Sequence, residues 1–246
     1  MVGGGMRPRD SRRRWRVGLL VLALVPAGVR VLAAQQAAGA PVQGRGGHIL
    51  RDRGFALATG RTLPKDAGYT TAYGTLAVTT AFTYGVTDRL TLATGTPLLA
   101  LAGGAIPLFV SLKYAVVDRP TTGVAVGVFS VGAAGGDESA FTAWPYVAGT
   151  LEGEHASVHT TMGLGRVWGS TSWFPLDGVT FQSAAMLEVD RGAYAVFEMA
   201  GFGGIPGPLM ALGMRLVNGK SGFDFGLVAV PGVSVPVPWV SLAVGF

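Results

Sequence analysis

The chain has no cysteine and few charged residues. None of its 246 residues is Cys, and Asp, Glu, Lys and Arg together make up 13%. The chain can therefore form no disulfide, no cysteine metal site and no thiol nucleophile. Its 39 Gly and 14 Pro are turn-forming residues, so the composition is unlike that of a soluble helical enzyme and favours an all-β protein.

The sequence also lacks an apolar run long enough to form a transmembrane helix. The run over residues 17–29 has 13 residues, whereas a membrane-spanning helix needs roughly 20. Later in the chain, turn residues interrupt every apolar stretch before it reaches about 18 residues. We therefore expect no transmembrane helix.

The first 33 residues have the layout of a secretory signal peptide. An arginine-rich region precedes the apolar run, and Val31 and Ala33 fit the −3 and −1 positions of a cleavage site. An N-terminal membrane anchor is the alternative, and the short apolar run disfavours it. We expect residues 1–33 to be a signal peptide and residues 34–51, which are small, polar and glycine-rich, to be a flexible segment.

The net charge of +5 comes from this leader. It holds seven of the 19 basic residues and one of the 14 acidic residues, so 12 basic and 13 acidic residues remain, a net charge of about −1. The remainder has no Lys or Arg stripe of the kind that follows phosphates. We therefore expect no nucleic-acid partner.

Beyond residue 51 the sequence alternates with a period of two residues. Twelve segments alternate larger apolar residues with small or polar ones, and turn residues separate them. They predict an all-β, up-and-down antiparallel transmembrane β-barrel domain over residues 52–246, with ten strands possible if two weaker segments fail. The predicted strands are 52–60, 75–86, 90–98, 106–118, 122–133, 140–151, 155–168, 179–190, 192–202, 208–217, 221–230 and 237–246.

The links between the predicted strands alternate in length. Tight links, such as the one at Asn218-Gly219, which is a strong hairpin signal, alternate with longer links such as 61–69, 133–139 and 169–178. Outer-membrane barrels have short periplasmic turns and longer extracellular loops. The alternation therefore favours an outer-membrane barrel over a soluble β-sandwich.

Isolated charges within the strands predict which face points inward. A mid-strand charge that faces lipid is costly, so we expect Lys113 to point into the barrel and its apolar neighbours to face lipid. The same reasoning gives a predicted lumen lining of Lys113, Gln182, Glu188, Glu198, Arg215 and Asp224.

Arg215 and Asp224 are equidistant from the centre of the hairpin turn that follows Asn218. They should face each other across two strands and form an ion pair, with Glu188 and Glu198 on the two preceding strands. One interpretation is a charged constriction that selects solutes. The other, which we favour, is a network that neutralises charge in a plugged lumen, because open channels need about 16 strands.

The sequence presents no convincing catalytic site. His155, Ser157 and His159 share one face of a predicted strand, which suggests a hydrolase or a metal site. Alternate strand residues are about 7 Å apart, so we expect no direct hydrogen bond between neighbours in this row, and no third metal ligand can be placed. We therefore expect a polar lumen stripe, and no enzyme activity, cofactor or metal.

Aromatic residues near the ends of the predicted strands are typical of the girdles of outer-membrane barrels. Tyr84 and Phe246 fit this interpretation best, and Trp144, Tyr146 and Trp239 are further candidates.

Two stretches of sequence and the final strand resemble a group of uncharacterised outer-membrane β-barrel proteins of Gram-negative bacteria. The stretches are YGVTDRLTLATGTPLL at 84–99 and RTLPKDAGY at 61–69, and the final strand ends in Phe246. The resemblance implies an outer-membrane location with lipid around the barrel. It also implies that the barrel-assembly machinery reads the last strand through Leu242, Val244 and Phe246. It implies no activity.

These observations leave three functional hypotheses open. The first is a narrow channel for small solutes. The second is a closed structural or adhesive barrel that acts through its extracellular loops, in particular through Trp173 and Phe174. The third, which is less well supported, is a membrane enzyme that modifies lipids.

Overall fold

The computed structural model describes residues 50–54, 58–74, 78–97, 106–135, 138–169, 177–203 and 205–246. The predicted signal peptide, nearly all of the predicted flexible segment, and Trp173 and Phe174 lie outside these residues.

Twelve antiparallel strands close into a single barrel. Each strand pairs with its neighbours in sequence, and the last strand pairs with the first. The twelve-stranded, up-and-down prediction is therefore confirmed and the ten-stranded alternative is excluded. The strands are β1 (Gly68–Gly74), β2 (Val78–Thr87), β3 (Leu90–Pro97), β4 (Ile106–Arg119), β5 (Thr122–Gly135), β6 (Glu138–Glu152), β7 (Ala156–Gly169), β8 (Gly178–Asp190), β9 (Ala193–Phe202), β10 (Leu209–Asn218), β11 (Ser221–Ala229) and β12 (Val237–Gly245).

The predicted position of the first strand is wrong. We expected it at 52–60, whereas β1 begins at Gly68, inside the stretch that we expected to be a long link. Residues 51–53 read Arg-Asp-Arg. Because successive strand residues point to opposite faces, a wall strand at this position would direct at least one of these charges toward lipid.

Five short links lie together at one end of the barrel, which we call the tight-turn end. They are residues 88–89, 120–121, 153–155, 191–192 and 219–220. Gly192 and Gly219 have φ angles of 76° and 55°, a left-handed conformation that other residues adopt at a cost. We call the opposite end the loop end. Its links are not all long, because β5 and β6 continue in register to Gly135 and Glu138, where we expected a seven-residue link.

Side chains alternate between an apolar outer face and a mixed inner face. On β4, Leu108, Val110 and Leu112 are exposed on the outside, whereas Phe109 and Lys113 are buried inside. This alternation over a closed barrel is the pattern of a wall that faces lipid. No helix in the described part of the chain is both long and apolar enough to cross a membrane.

Candidate functional site in the barrel lumen

Part of the chain that precedes β1 lies inside the barrel. We call residues 50–54 and 58–63 the lumen segment. It folds back on itself, because Arg53 and Ala58 form an antiparallel bridge. Leu50 is fully buried, so the interior is occupied by backbone as well as by side chains of the wall.

The predicted pair Arg215 and Asp224 holds the lumen segment from β10 and β11. Arg215 Nε lies 2.8 Å from Asp224 Oδ1, and neither side chain is exposed. The guanidinium also donates to the carbonyl oxygens of Arg53, at 2.8 Å, and Gly54, at 2.5 Å. In turn Arg53 donates to Ser241 Oγ at 2.9 Å. The ion pair of the wall is therefore also an anchor for the segment.

Lys113 holds the same segment from β4. Its Nζ donates to the carbonyl oxygen of Asp52 at 2.6 Å and lies 3.4 Å from that of Thr59. The Asp52 carboxylate accepts a hydrogen bond from the Tyr69 hydroxyl at 2.8 Å. Among the described residues no carboxylate lies within ion-pair distance of Nζ. The ammonium group therefore binds the backbone of the lumen segment rather than an acidic side chain.

Arg61 anchors the segment at the tight-turn end. Its Nη1 lies 2.6 Å from Asp118 Oδ1 and its Nε lies 2.8 Å from Glu152 Oε1. Further donors reach the carbonyl oxygens of Arg119 and Pro120. Burial alone would lower the pKa of Arg61, but the hydrogen bonds and charges of Glu152 and Asp118 outweigh it and the pKa is raised. Arg61 is therefore charged at physiological pH although its side chain is buried.

Backbone also packs directly against backbone beside Arg61. A Cβ atom at Gly60 would lie 2.5 Å from the carbonyl oxygen of Gly123 and 2.9 Å from the backbone nitrogen of Thr150. The Gly60 N–H donates to Thr150 Oγ1 at 2.8 Å. Only glycine permits this approach of segment to wall.

The other residues of the predicted lining lie in different surroundings. Gln182 is buried on β8 and lines the lumen beside Ala58. Glu198 is buried beside Gly54, where an added Cβ atom would collide with its carboxylate. The carboxylate of Glu188 lies 3.5 Å from His155 Nδ1, toward the tight-turn end.

The prediction that neighbours in the His155, Ser157, His159 row would make no direct hydrogen bond is wrong. Ser157 Oγ lies 2.9 Å from His159 Nε2, and Thr150 Oγ1 lies 2.8 Å from His159 Nδ1. The 7 Å spacing applies to the Cα atoms, whereas the side chains lean toward each other. Thr150 Oγ1 also accepts the N–H of Gly60. Each of the two hydroxyls can donate to the imidazole or accept from it, so the direction of both bonds depends on the tautomer of His159.

Two cavities lie on either side of the lumen segment. One, of about 180 Å³, is lined by Arg53 and Lys113 together with a group of aromatic side chains, and we call it the aromatic cavity. The other, of about 570 Å³, is lined by Arg51 and by residues near the tight turns, including His155, and we call it the tight-turn cavity. The lumen segment contributes to the lining of both and separates them.

Trp144 and Tyr146 belong to the aromatic cavity, so their predicted place in a membrane girdle is wrong. Both are less than 9% exposed and face the lumen from β6. Their even-numbered positions share the inner face with buried Thr142 and Thr150. Tyr84 lies on the outer face, where its ring stacks with that of Phe82 at 6.4 Å.

The chain matches no family model and no curated protein sequence. Among solved structures it is similar to the KdgM porin, with a TM-score of 0.52 and 8% identity over 73% of this chain and 98% of that one. The same values hold for KdgM in complex with disordered oligogalacturonate. The COG4313 outer membrane channel from Pseudomonas putida F1 matches with a TM-score of 0.43 and 14% identity over 76% of this chain and 97% of that one.

The fold is that of an outer-membrane porin. The closed twelve-stranded sheet and the KdgM likeness together show this, and the resemblance inferred from the sequence is confirmed at the level of fold. At 8% identity the likeness shows the fold alone.

Sequence reasoning missed the residues of the lumen segment itself. The sequence pattern predicts that Asp52, Arg53 and Arg61 belong to a wall strand or to a link, whereas they connect the lumen segment to the wall. The available signal was the charge triplet at 51–53, which a lipid-facing wall strand does not tolerate. Among the described residues no group of three or more His, Asp or Glu side chains is placed to hold a metal ion.

Proposed function

We propose that this protein is an outer-membrane channel for small solutes that the lumen segment holds closed. The porin fold supports a transport role. The observation that carries the proposal is the position of the segment between the aromatic cavity and the tight-turn cavity. Displacement of one short piece of chain that is not part of the wall would join them.

The contacts at the tight-turn end are of a kind that can be broken. Asp118 and Glu152, which bind Arg61, are 34% and 26% exposed. Water reaches these carboxylates and can replace Arg61 as their partner. Release of Arg61, which is itself 2% exposed, also breaks its bonds to the carbonyl oxygens of Arg119 and Pro120, but it breaks no strand pair of the wall.

The direct test is single-channel recording on the full-length protein in planar bilayers. Wild type should be closed for most of the time, and Arg61→Ala should raise the open probability because the segment loses its anchor at the tight-turn end. Deletion of residues 50–63, which removes no strand, should give a continuously open pore. Arg191→Ala is the matched control, because Arg191 lies in another tight turn, between β8 and β9, and is exposed.

The outcome that would refute the channel is absence of current in all four proteins while each shows the heat-modifiable gel mobility of a folded barrel. That result would favour the closed structural or adhesive barrel. We propose no catalytic role, because Nδ1 of His159 meets the Thr150 hydroxyl rather than a carboxylate that would orient the ring as a base for Ser157.

A further inference from the structure

One wall of the aromatic cavity consists of adjacent rings on three neighbouring strands. The centroid distances are 5.5 Å between Phe109 and Phe129, 6.3 Å between Phe129 and Trp144, and 6.3 Å between Trp144 and Tyr146. Tyr73 lines the same cavity from β1. Aromatic rings prefer offset or edge-to-face contact with another ring at such distances, so this wall favours a planar aromatic guest.

The volume of the cavity sets the size of the guest. The cavity measures about 180 Å³, and an engineered apolar protein cavity of about 150 Å³ takes up benzene. A molecule with one six-membered ring and one small substituent therefore fits while the lumen segment stays in place.

Two polar groups of the lining have donors that the protein does not use. Lys113 has three N–H donors, and among the described residues it bonds to two carbonyl oxygens, those of Asp52 and Thr59. The Gln182 amide is 4% exposed and makes no hydrogen bond to another described residue. Buried donors without partners favour a guest that brings acceptors, and the ammonium charge favours an anionic one.

We propose that the aromatic cavity binds a monocyclic aromatic carboxylate of the benzoate type. The ring contacts Phe109, Phe129 and Trp144, and the carboxylate accepts hydrogen bonds from Lys113 and Gln182. The place of this site in transport rests on the proposed channel function, since a bound molecule would lie next to the barrier that the lumen segment forms. Binding itself does not depend on it.

Isothermal titration of the full-length protein in detergent micelles tests the site with three probes. Benzoate has both the ring and the charge, cyclohexanecarboxylate has the charge without the aromatic ring, and benzamide has the ring without the charge. We expect benzoate to bind about tenfold more tightly than either of the others. Equal affinities for benzoate and cyclohexanecarboxylate, within about twofold, would overturn the proposal.

Two variants measure separately how much the charge of Lys113 and the aromatic ring of Phe129 contribute to binding. Lys113→Met should weaken benzoate binding about tenfold and leave benzamide binding unchanged. Because this change also removes bonds to the lumen segment, Phe129→Leu provides a second test. It should weaken benzoate and benzamide alike by about threefold to tenfold, and leave cyclohexanecarboxylate unaffected. Arg191→Ala should bind all three probes as wild type does.

The proposed site would be refuted if wild type bound the three probes with equal affinity. It would also be refuted if neither variant changed the relative affinities for the probes. Parallel single-channel recordings keep the two proposals apart. Benzoate binding without any current in the segment-deleted barrel retains the site and refutes the channel, whereas current without selective binding refutes the site alone.

Discussion

Arg215 and Asp224 face each other across β10 and β11, and neither side chain is exposed to solvent. Two bonds join them, at 2.8 Å from Nε to Oδ1 and at 3.1 Å from Nη2 to Oδ2. Burying two charges is favourable only when further hydrogen bonds satisfy both groups. The carbonyl oxygens of Arg53 and Gly54 supply them on the arginine side. The wall and the lumen segment therefore stabilise each other through this pair.

Removal of one member of the Arg215–Asp224 pair should destabilise the protein more than removal of both. Arg215→Met removes both short bonds to the buried Asp224 carboxylate and leaves it the longer 3.5 Å contact with Arg53, which should lower the free energy of unfolding by about 3–5 kcal/mol. The double change Arg215→Met with Asp224→Leu should recover much of that loss, because an apolar pair needs no partner. Urea titration followed by heat-modifiable gel mobility measures both. Equal losses in the single and double variants would contradict the explanation.

A methyl group at Gly60 should displace the lumen segment and leave the strand pairs of the barrel wall intact. In Gly60→Ala the new Cβ atom meets backbone atoms of Gly123 and Thr150, which have no room to move within paired strands. We expect a raised open probability in single-channel recordings and unchanged barrel yield. Gly153→Ala is the matched control, because its Cβ atom would lie at an ordinary 3.5 Å from the nearest atom outside its neighbours. Identical currents in the two variants would argue against the proposal that the lumen segment blocks the channel.

A charge on the outer face should be costly according to its depth in the membrane. Leu212 is 64% exposed in the middle of β10, and Val189 is 54% exposed close to a tight turn. In lipid vesicles, Leu212→Arg should lower the free energy of unfolding by about 2–4 kcal/mol and Val189→Arg by about 0–1 kcal/mol. Denaturant titration in vesicles gives both values. If the two costs were the same and close to zero, the outer wall would not face hydrocarbon.

The closed barrel could be predicted from the sequence because its cause is local. A strand that faces lipid on one side and a lumen on the other must alternate, and that alternation is legible residue by residue. The same holds for the register of Arg215 with Asp224, because the two-residue turn at 219–220 fixes it. Both predictions depend on neighbours in sequence.

The position of the lumen segment could not be predicted in this way because its contacts are distant in sequence. Arg61 binds Asp118 and Glu152, 57 and 91 residues away. No periodicity marks such partners. Residues 52–60 form the least secure of the predicted strands, because the stretch is short and interrupted by glycine. The hydrogen bond between Ser157 and His159 was missed for a related reason, since backbone spacing says nothing about how far side chains lean.

Phe246 allows the predicted assembly signal to be separated from ordinary packing. Its ring stacks on that of Phe82 with centroids 5.5 Å apart, and its N–H donates to the carbonyl oxygen of Gly68 at 3.0 Å. If the barrel-assembly machinery reads this residue, Phe246→Ala should lower the amount of barrel assembled in cells several-fold, whereas Phe82→Ala, which loses the same ring contact, should not.

Refolding of the purified variants into detergent, where that machinery is absent, should then give equal yields for both. A matching defect in cells and in detergent would assign Phe246 to packing against Phe82, because a residue that is only read during assembly has no effect on a barrel that folds alone. Normal assembly of Phe246→Ala in cells would refute the assembly-signal hypothesis. It would not affect the assignment of the barrel fold, since all twelve strands pair through their backbones.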